Sequence, residues 1–156
     1  MNYAEEIGKI LIKKNKKIST VESCTGGLLS SLLTDVSGSS AYITLNLITY
    51  ANSAKEKMLN VKIGPDGVVS ENCAYQMAKG LYELTKSEIC VSTTGIAGPT
   101  GGTKEKPVGL MYSTILTPDT VKTYKIQVDQ TLSRKEIKQK FAERVLINIY
   151  ELLNTR

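Results

Sequence analysis

The order of β-prone and amphipathic segments is the feature that most restricts the fold of this chain. Across the first two thirds of the sequence, strands predicted at 17–21, 41–50 and 89–93 alternate with segments of helical periodicity. The remaining elements are helices predicted at 3–14, 28–34, 53–59, 71–86 and 133–153 and strands predicted at 108–116 and 121–128. This order predicts an α/β fold, a three-layer α/β/α sandwich with a mostly parallel or mixed central sheet. The 156 residues fit one domain spanning 1–156.

Local signals mark the ends of several of these elements. Ser70 is placed to cap the helix that follows it, and Ser133 with Glu136 three residues later forms a capping-box pattern. The segment 117–120 (TPDT) lies between the last two strands and predicts the turn of a hairpin. A hairpin and a long terminal helix therefore close the fold.

The sequence contains no histidine, and this absence narrows the chemistry. It removes the Ser-His-Asp triad, the Cys-His dyad and histidine-based metal sites. The three cysteines are an odd number and show no CxxC spacing, which argues against a disulfide framework and against a zinc site. We therefore expect no metal.

The net charge of +5 suits an anionic partner. Much of the excess comes from lysines at 13, 14, 16 and 17, which we interpret as a solvated helix end. No interleaving of basic and aromatic residues indicates nucleic acid, so a small phosphorylated ligand is favoured. The chain shows no apolar run of membrane-spanning length and no signal-peptide pattern at its start, so we expect a cytoplasmic protein.

Ligands of such sheets bind where loops leave the strand ends, and segment 23–27 is the first candidate. Its glycines, Gly26 and Gly27, permit close approach of the backbone, and a helix start follows with free N–H groups. The hydroxyls of Ser23 and Thr25 add donors, so the segment suits a phosphate. The same residue types also build a tight turn with a helix cap.

The second candidate is the serine-rich segment 37–40, followed by Tyr50 and Lys55. A serine nucleophile needs a base, and a lysine with a depressed pKa can serve where histidine is absent. Tyr50 could relay a proton or hold the lysine. The alternative is that these serines only form a loop and that Lys55 is a surface charge on a helix.

The third candidate is the loop 94–107, which follows a buried strand and is rich in glycine. Loops of this length in compact domains are usually functional or disordered, and backbone N–H groups near Gly95 could form an oxyanion hole. Near the start of the terminal helix, Arg134 could clamp a phosphate or carboxylate. Lys135 and Lys138 are interpreted as a solvated basic face.

Taken in order, these segments resemble the CinA C-terminal domain family over nearly the whole chain. The residues that carry the resemblance are 21–27 (VESCTGG), 38–40 (GSS), 50–55 (YANSAK) with Leu59 and Val61, Val69-Ser70, Met77-Ala78, Gly80, 94–99 (TGIAGP), 101–102 (GG) and 106–109 (KPVG). Stand-alone members of this family act as nicotinamide-nucleotide amidases. The resemblance implies hydrolysis of nicotinamide mononucleotide to nicotinic acid mononucleotide and ammonia, with no metal and no cofactor.

The resemblance also implies roles for residues. By position, Ser40 would be the nucleophile, with Ser39 as its rival, and Lys55 the general base. Tyr50 would relay a proton or contact the nicotinamide. The substrate-binding positions would be Ser23, Thr25, Gly26, Ser39, Thr94, Gly95 and Arg134, of which Ser23 and Thr94 would orient the amide and Arg134 would bind the phosphate. The family further implies a homo-oligomer, a dimer or trimer, with no membrane or nucleic-acid partner.

The sequence departs from the family pattern at three places. Asn46 stands where many members have glycine, Leu132-Ser133 replaces a Gly-Asp pair, and Lys138 stands where a second arginine is common. The last two changes touch the expected phosphate end, since lysine lacks the planar fork of arginine. Two other functions compete with the amidase: a non-catalytic nucleotide- or phosphate-binding module, and an amidase acting on another pyridine or nucleoside amide.

Overall fold

A mixed sheet forms the middle of the molecule, as the order of the elements predicts. The computed structural model describes residues 1–155. Its five strands are β1 (Ile18–Glu22), β2 (Ile43–Ile48), β3 (Ile89–Gly95), β4 (Leu110–Leu116) and β5 (Val121–Gln127). They lie in the order β2-β1-β3-β4-β5; β1 runs parallel to both neighbours, whereas β4 and β5 pair antiparallel.

Helices cover both faces of this sheet, so the predicted three-layer α/β/α architecture is confirmed. They are α1 (Tyr3–Lys14), α2 (Leu28–Thr34), α3 (Asn52–Leu59), α4 (Glu71–Thr85) and α5 (Arg134–Asn154). On one face α1, α2 and α5 pack together, and on the other face α3 packs on α4, which lies across β1, β3 and β4. The segment Ser39–Ala41 forms a short 3-10 helix, although Ala41 was predicted as the first residue of the strand 41–50, which begins at Ile43. Within the described residues, no helix has the length and apolar character needed to cross a bilayer.

Two apolar clusters, one on each side of the sheet, hold the layers together. Leu11 of α1 and Phe141 of α5 are fully buried in the larger cluster, and Met77 of α4 is fully buried in the smaller one. Burial of one such side chain contributes about 1.5–3 kcal/mol. The two clusters fix the strand ends from which the candidate loops emerge.

The predicted caps and hairpin turn are confirmed. The Ser70 hydroxyl accepts from the N–H of Cys73, and Ser133 forms the complete capping box with Glu136. The N–H of Thr117 donates to the carbonyl of Thr120 over 2.7 Å and closes the hairpin. The capping box matters for function because it fixes Arg134 as the first residue of α5.

The parallel pairing divides the loops between two edges of the sheet. Because β1, β2 and β3 run in the same direction, their carboxyl ends meet at one edge, which we call the C-terminal edge. The opposite edge, where these strands begin, we call the N-terminal edge. The 3-10 segment Ser39–Ala41 lies there, since the N–H of Ile18 donates to the carbonyl of Tyr42 and the amine of Lys17 donates to the carbonyl of Ala41.

Candidate active site

A buried lysine forms the centre of the candidate site at the C-terminal edge. Lys55 of α3 is 1% exposed, and no carboxylate among residues 1–155 forms an ion pair with it. Its Nζ lies 3.0 Å from the Oγ of Ser23, 2.9 Å from the carbonyl oxygen of Thr49 and 3.1 Å from that of Tyr50. The two carbonyls can accept only from N–H groups. In the neutral amine they would take both protons, which leaves the nitrogen lone pair for the Ser23 hydroxyl.

The surroundings favour that neutral form. Burial lowers the pKa of Lys55 below its ordinary value, and the nearby Cys73 and Cys24 would oppose this shift only as charged thiolates. Burial also raises the pKa of Cys24 to about 12 and raises that of Cys73, so both thiols are protonated near pH 7 and carry no charge to stabilise the lysine cation. A buried amine with a depressed pKa can act as a general base.

The serine beside Lys55 sits on a strand–turn–helix connection. Ser23 is the first residue after β1, and its carbonyl accepts from the N–H of Gly26 to form a tight turn. Gly27 follows at a φ of +103°, a conformation that favours glycine, and α2 begins at the next residue. The side chain of Ser23 is thereby held at the end of β1, within hydrogen-bond distance of the Lys55 amine.

The start of α2 is not free for a phosphate, contrary to the expectation for segment 23–27. The carboxylate of Glu22 accepts hydrogen bonds from the N–H groups of Gly27, Leu29 and Ser30, at 3.1, 3.0 and 2.8 Å. It also accepts from the hydroxyl of Thr25 at 2.5 Å, so this expected substrate donor is already engaged. This role of Glu22 was not predicted, because the sequence does not show that an acidic residue at the end of a strand folds back onto the following helix.

An arginine joins two loops of the C-terminal edge beside Lys55. The Nη2 of Arg134 lies 3.0 Å from the Oη of Tyr50, and its Nη1 donates to the carbonyl of Gly98 over 2.6 Å. The side chain of Tyr50 is largely exposed, while its carbonyl accepts from Lys55. Tyr50, Lys55 and Arg134, all predicted as site residues, therefore lie in one neighbourhood together with Ser23.

A basic cavity of about 650 Å³ adjoins this neighbourhood. It is lined by Thr25, Gly26, Gly27, Leu28, Ser31, Arg134, Lys135, Lys138 and Gln139. Gly26 is exposed, and a Cβ placed on it would lie 3.4 Å from the amine of Lys138. Lys135 and Lys138, interpreted from the sequence as a solvated basic face, line this cavity together with Arg134, so three cations surround one concave surface.

The structure does not bring Ser40 to Lys55 within the chain. Ser40 is exposed in the 3-10 segment before β2, whereas Lys55 follows the end of that strand. Six residues of strand span about 20 Å. The predicted Ser40–Lys55 pair is therefore replaced in this chain by a Ser23–Lys55 pair, and Ser39 lies on the same distant edge as Ser40. Sequence spacing misled here because it does not show at which edge of a parallel sheet a loop emerges.

On β3 the structure separates two adjacent threonines. The hydroxyl of Thr94, predicted to orient the amide, donates to the carbonyl of Val68 over 2.8 Å on the α4 side of the sheet. Thr93 faces the other way, and its Oγ1 accepts from the N–H of Ser23 at 3.3 Å and lies 2.9 Å from the Oγ1 of Thr25. Gly95 ends β3 beside them. Alternation of side chains along a strand could have shown that only one of the two threonines faces Ser23.

Fold and site together define an α/β domain with a buried serine–lysine pair at the C-terminal edge of its sheet. The family model of the CinA C-terminal domain matches residues 1–153, and the chain belongs to this family. Within residues 1–155, no cluster of three or more His, Cys, Asp or Glu side chains is arranged to hold a metal ion.

Relatives and solved structures agree with this assignment. The chain is 42% identical to a CinA-like protein of Chloroherpeton thalassium, and the match covers 99% of this chain and 38% of that protein. It is also 42% identical to a CinA-like protein of Desulforapulum autotrophicum, with 88% of this chain and 34% of that protein covered. It thus spans little more than a third of these relatives. The competence/damage inducible protein CihA of Agrobacterium tumefaciens is 34% identical, with a TM-score of 0.85 over 97% of this chain and 96% of that one. A CinA superfamily protein of Klebsiella pneumoniae, 23% identical, shares the fold with a TM-score of 0.90 over 99% and 97% of the two chains.

Proposed function

We propose that this protein is a metal-independent amidohydrolase that converts nicotinamide mononucleotide to nicotinic acid mononucleotide and ammonia. The observation that carries the proposal is the buried Lys55 amine, 3.0 Å from the Ser23 hydroxyl. Burial of an amine that forms no ion pair among residues 1–155 is costly, so such a group points to chemistry rather than to stability. The absence of histidine from the sequence leaves lysine as the base for a serine nucleophile.

The mechanism follows from this pair. Neutral Lys55 takes the proton of Ser23 while the serine oxygen forms a bond to the carboxamide carbon. The carbon–nitrogen bond then breaks, and protonated Lys55 returns the proton to the leaving ammonia. Water attacks the resulting ester with Lys55 again as the base, and the bond between the acyl carbon and the Ser23 oxygen breaks. The Ser23 oxygen takes the proton back from Lys55, and nicotinic acid mononucleotide is released. The reaction consumes one water for each amide, so Lys55 ends each cycle neutral.

Stabilisation of the negative oxygen in this mechanism falls to backbone N–H groups of the turn after Ser23. The N–H of Thr25 donates to no acceptor in the described part of the chain, and that of Cys24 has only its own thiol as a partner. The N–H of Ile96, in the loop 94–107, already donates to the carbonyl of Leu110. One such donor is worth about 2.7–4 kcal/mol in a reaction of this type. Tyr50, held by Arg134, remains available to contact the nicotinamide ring.

The basic cavity supports an anionic substrate. Arg134, Lys135 and Lys138 line it next to the serine–lysine pair, and they suit a substrate that carries a phosphate. Since the amides of the α2 start are held by Glu22, we assign the phosphate to these three side chains. A homo-oligomer, dimer or trimer, stays a prediction.

The test is ammonia release from a panel of amides by purified, chelator-treated protein. We expect turnover of nicotinamide mononucleotide with formation of nicotinic acid mononucleotide, and much weaker turnover of nicotinamide riboside and nicotinamide, which lack the phosphate. If the protein prefers another pyridine or nucleoside amide, that compound takes the place of nicotinamide mononucleotide as the proposed substrate. Binding of the nucleotide without turnover of any amide would contradict the amidase and favour a binding module.

A further inference from the structure

Glu22 is a fully buried acidic residue whose partners are all hydrogen-bond donors without formal charge. Glu22 is the last residue of β1 and is 0% exposed. It forms no ion pair among residues 1–155. Its carboxylate accepts hydrogen bonds from the backbone N–H of Gly27, Leu29 and Ser30 and from the hydroxyls of Thr25 and Ser30. A buried carboxylate without a cation is costly, and these donors compensate for the lost water.

Helix capping alone does not require this arrangement. A serine, threonine or aspartate at the N-cap accepts from the first amides of a helix, as Ser70 and Ser133 do for α4 and α5. At α2 the N-cap is Gly27, which has no side chain, and Glu22 reaches the helix from five residues earlier in the chain. The acid is therefore placed at the turn that carries Ser23.

A directed chain of hydrogen bonds leads from this carboxylate back to Ser23. The Thr25 hydroxyl donates its single proton to Glu22, so the contact of 2.9 Å between the hydroxyls of Thr25 and Thr93 requires Thr93 to donate. The oxygen of Thr93 is then left to accept, and it accepts from the N–H of Ser23 at 3.3 Å. The carboxylate thus sets the direction of the two hydroxyl bonds, and the N–H of Ser23 can only donate to the oxygen that remains.

We propose that Glu22 is a positioning residue that holds Ser23 against Lys55 through Thr25 and Thr93. The inference rests on the proposed function, in which Ser23 is the nucleophile. Glu22 does not touch the reacting atoms. Its effect is on the geometry of the turn, so its loss is expected to lower kcat and to leave KM nearly unchanged.

Two sets of variants test the proposal. Glu22→Gln replaces one acceptor oxygen with an N–H₂ group that faces other donors, and we expect kcat to fall on the order of 100-fold, the cost of a small misplacement of a reacting group. Thr93→Val removes the link to Ser23 without touching Glu22, and we expect a loss of kcat in the same direction. Thr93→Ser restores the hydroxyl and should restore kcat.

A matched control separates positioning from loss of stability. Thr114 lies on the neighbouring strand β4, and its hydroxyl bonds Thr123 at 2.7 Å, away from Ser23. Thr114→Val therefore removes a similar hydrogen bond between threonine hydroxyls, and we expect it to lower the melting temperature as Thr93→Val does but to leave kcat unchanged. If the two valine variants lose kcat equally, or if neither loses it, the positioning role of Glu22 is overturned.

A second readout keeps this test independent of the substrate. A fluorophosphonate reacts with an activated serine, and its site of attachment is mapped by mass spectrometry. We expect labelling of Ser23 in the wild type and slower labelling in Glu22→Gln and Thr93→Val. If the wild type is labelled at Ser23 but hydrolyses no amide, the proposed function fails and the labelling rates still decide the role of Glu22. A wild type that hydrolyses the nucleotide but is not labelled at Ser23 contradicts the proposed role. If Glu22→Gln does not fold, the threonine variants decide alone.

Discussion

Two loops of small residues, each with a serine that could be the nucleophile, have very different surroundings in this molecule. The loop 23–27 leaves β1 at the C-terminal edge, where Ser23 is buried and contacts the Lys55 amine. The loop 37–40 precedes β2 at the N-terminal edge, where Ser40 is exposed. The comparison teaches that a serine becomes a candidate nucleophile through its position relative to a buried base, which depends on strand order and not on the residues of the loop.

The largest effect on kcat is expected when Ser23 and Ser40 are each replaced by alanine in separate variants. Ser23→Ala removes the proposed nucleophile and should lower kcat for nicotinamide mononucleotide by roughly 10⁴–10⁶-fold. Ser40→Ala should retain the wild-type rate, because Ser40 lies on the other edge of the sheet. The measurement is ammonia release under identical conditions. If only the Ser40→Ala protein loses activity, Ser40 and not Ser23 is the nucleophile. That result would point to a second copy of the chain that brings Ser40 to Lys55.

A smaller but still large effect is expected from the lysine. Lys55→Met keeps the apolar length of the side chain and removes the amine, and kcat should fall by about 10²–10⁴-fold, the range for a general base. Lys57→Met is the matched control, since Lys57 is exposed on the same helix. Retained activity in the Lys55 variant would exclude this lysine as the base. Loss of activity in both variants would indicate a general effect on α3.

The pH dependence sharpens the comparison without a mutation. The base must be neutral, so activity should be lost as the pH falls through the pKa of Lys55, by about tenfold for each pH unit below it. Burial lowers that pKa, so the midpoint should lie below the ordinary lysine value of about 10.4. The measurement is kcat/KM against pH. A profile that is flat across the stable range would contradict a titrating base at this edge.

The smallest effect is expected at the threonine that faces away from Ser23. Thr94→Val loses the hydrogen bond to the carbonyl of Val68 and should reduce the free energy of unfolding by about 1 kcal/mol, with kcat little changed. Thr94→Ser keeps the hydroxyl and serves as the control. Denaturant unfolding and ammonia release are measured on both. A large loss of kcat at unchanged stability would mean that Thr94 contacts the substrate after all.

Much of the fold could be predicted because its signals are local. The Ser133–Glu136 capping box and the turn at 117–120 lie within four residues of sequence, and both form as expected. The resemblance to the CinA C-terminal domain family also predicted that one site contains Lys55, Tyr50 and Arg134. These features need no knowledge of how the strands are ordered.

The partner of Lys55 could not be predicted because it depends on that order. Ser23 and Lys55 are 32 residues apart, and only the parallel pairing of β1 with β2 places both at one edge. The choice between Thr93 and Thr94 depends on the face that each takes on β3, a difference of one residue in register. The occupation of the α2 start by Glu22 depends on the fold of the turn between them.

The most direct test of the central claim is to trap the covalent intermediate. The protein is mixed with nicotinamide mononucleotide, quenched in acid during turnover, digested, and mapped by mass spectrometry for a serine ester of the nicotinate group. We expect the ester on the peptide that contains Ser23 and its absence from the Ser23→Ala protein. An ester on the peptide that contains Ser39 and Ser40 would contradict the assignment of the chemistry to the C-terminal edge.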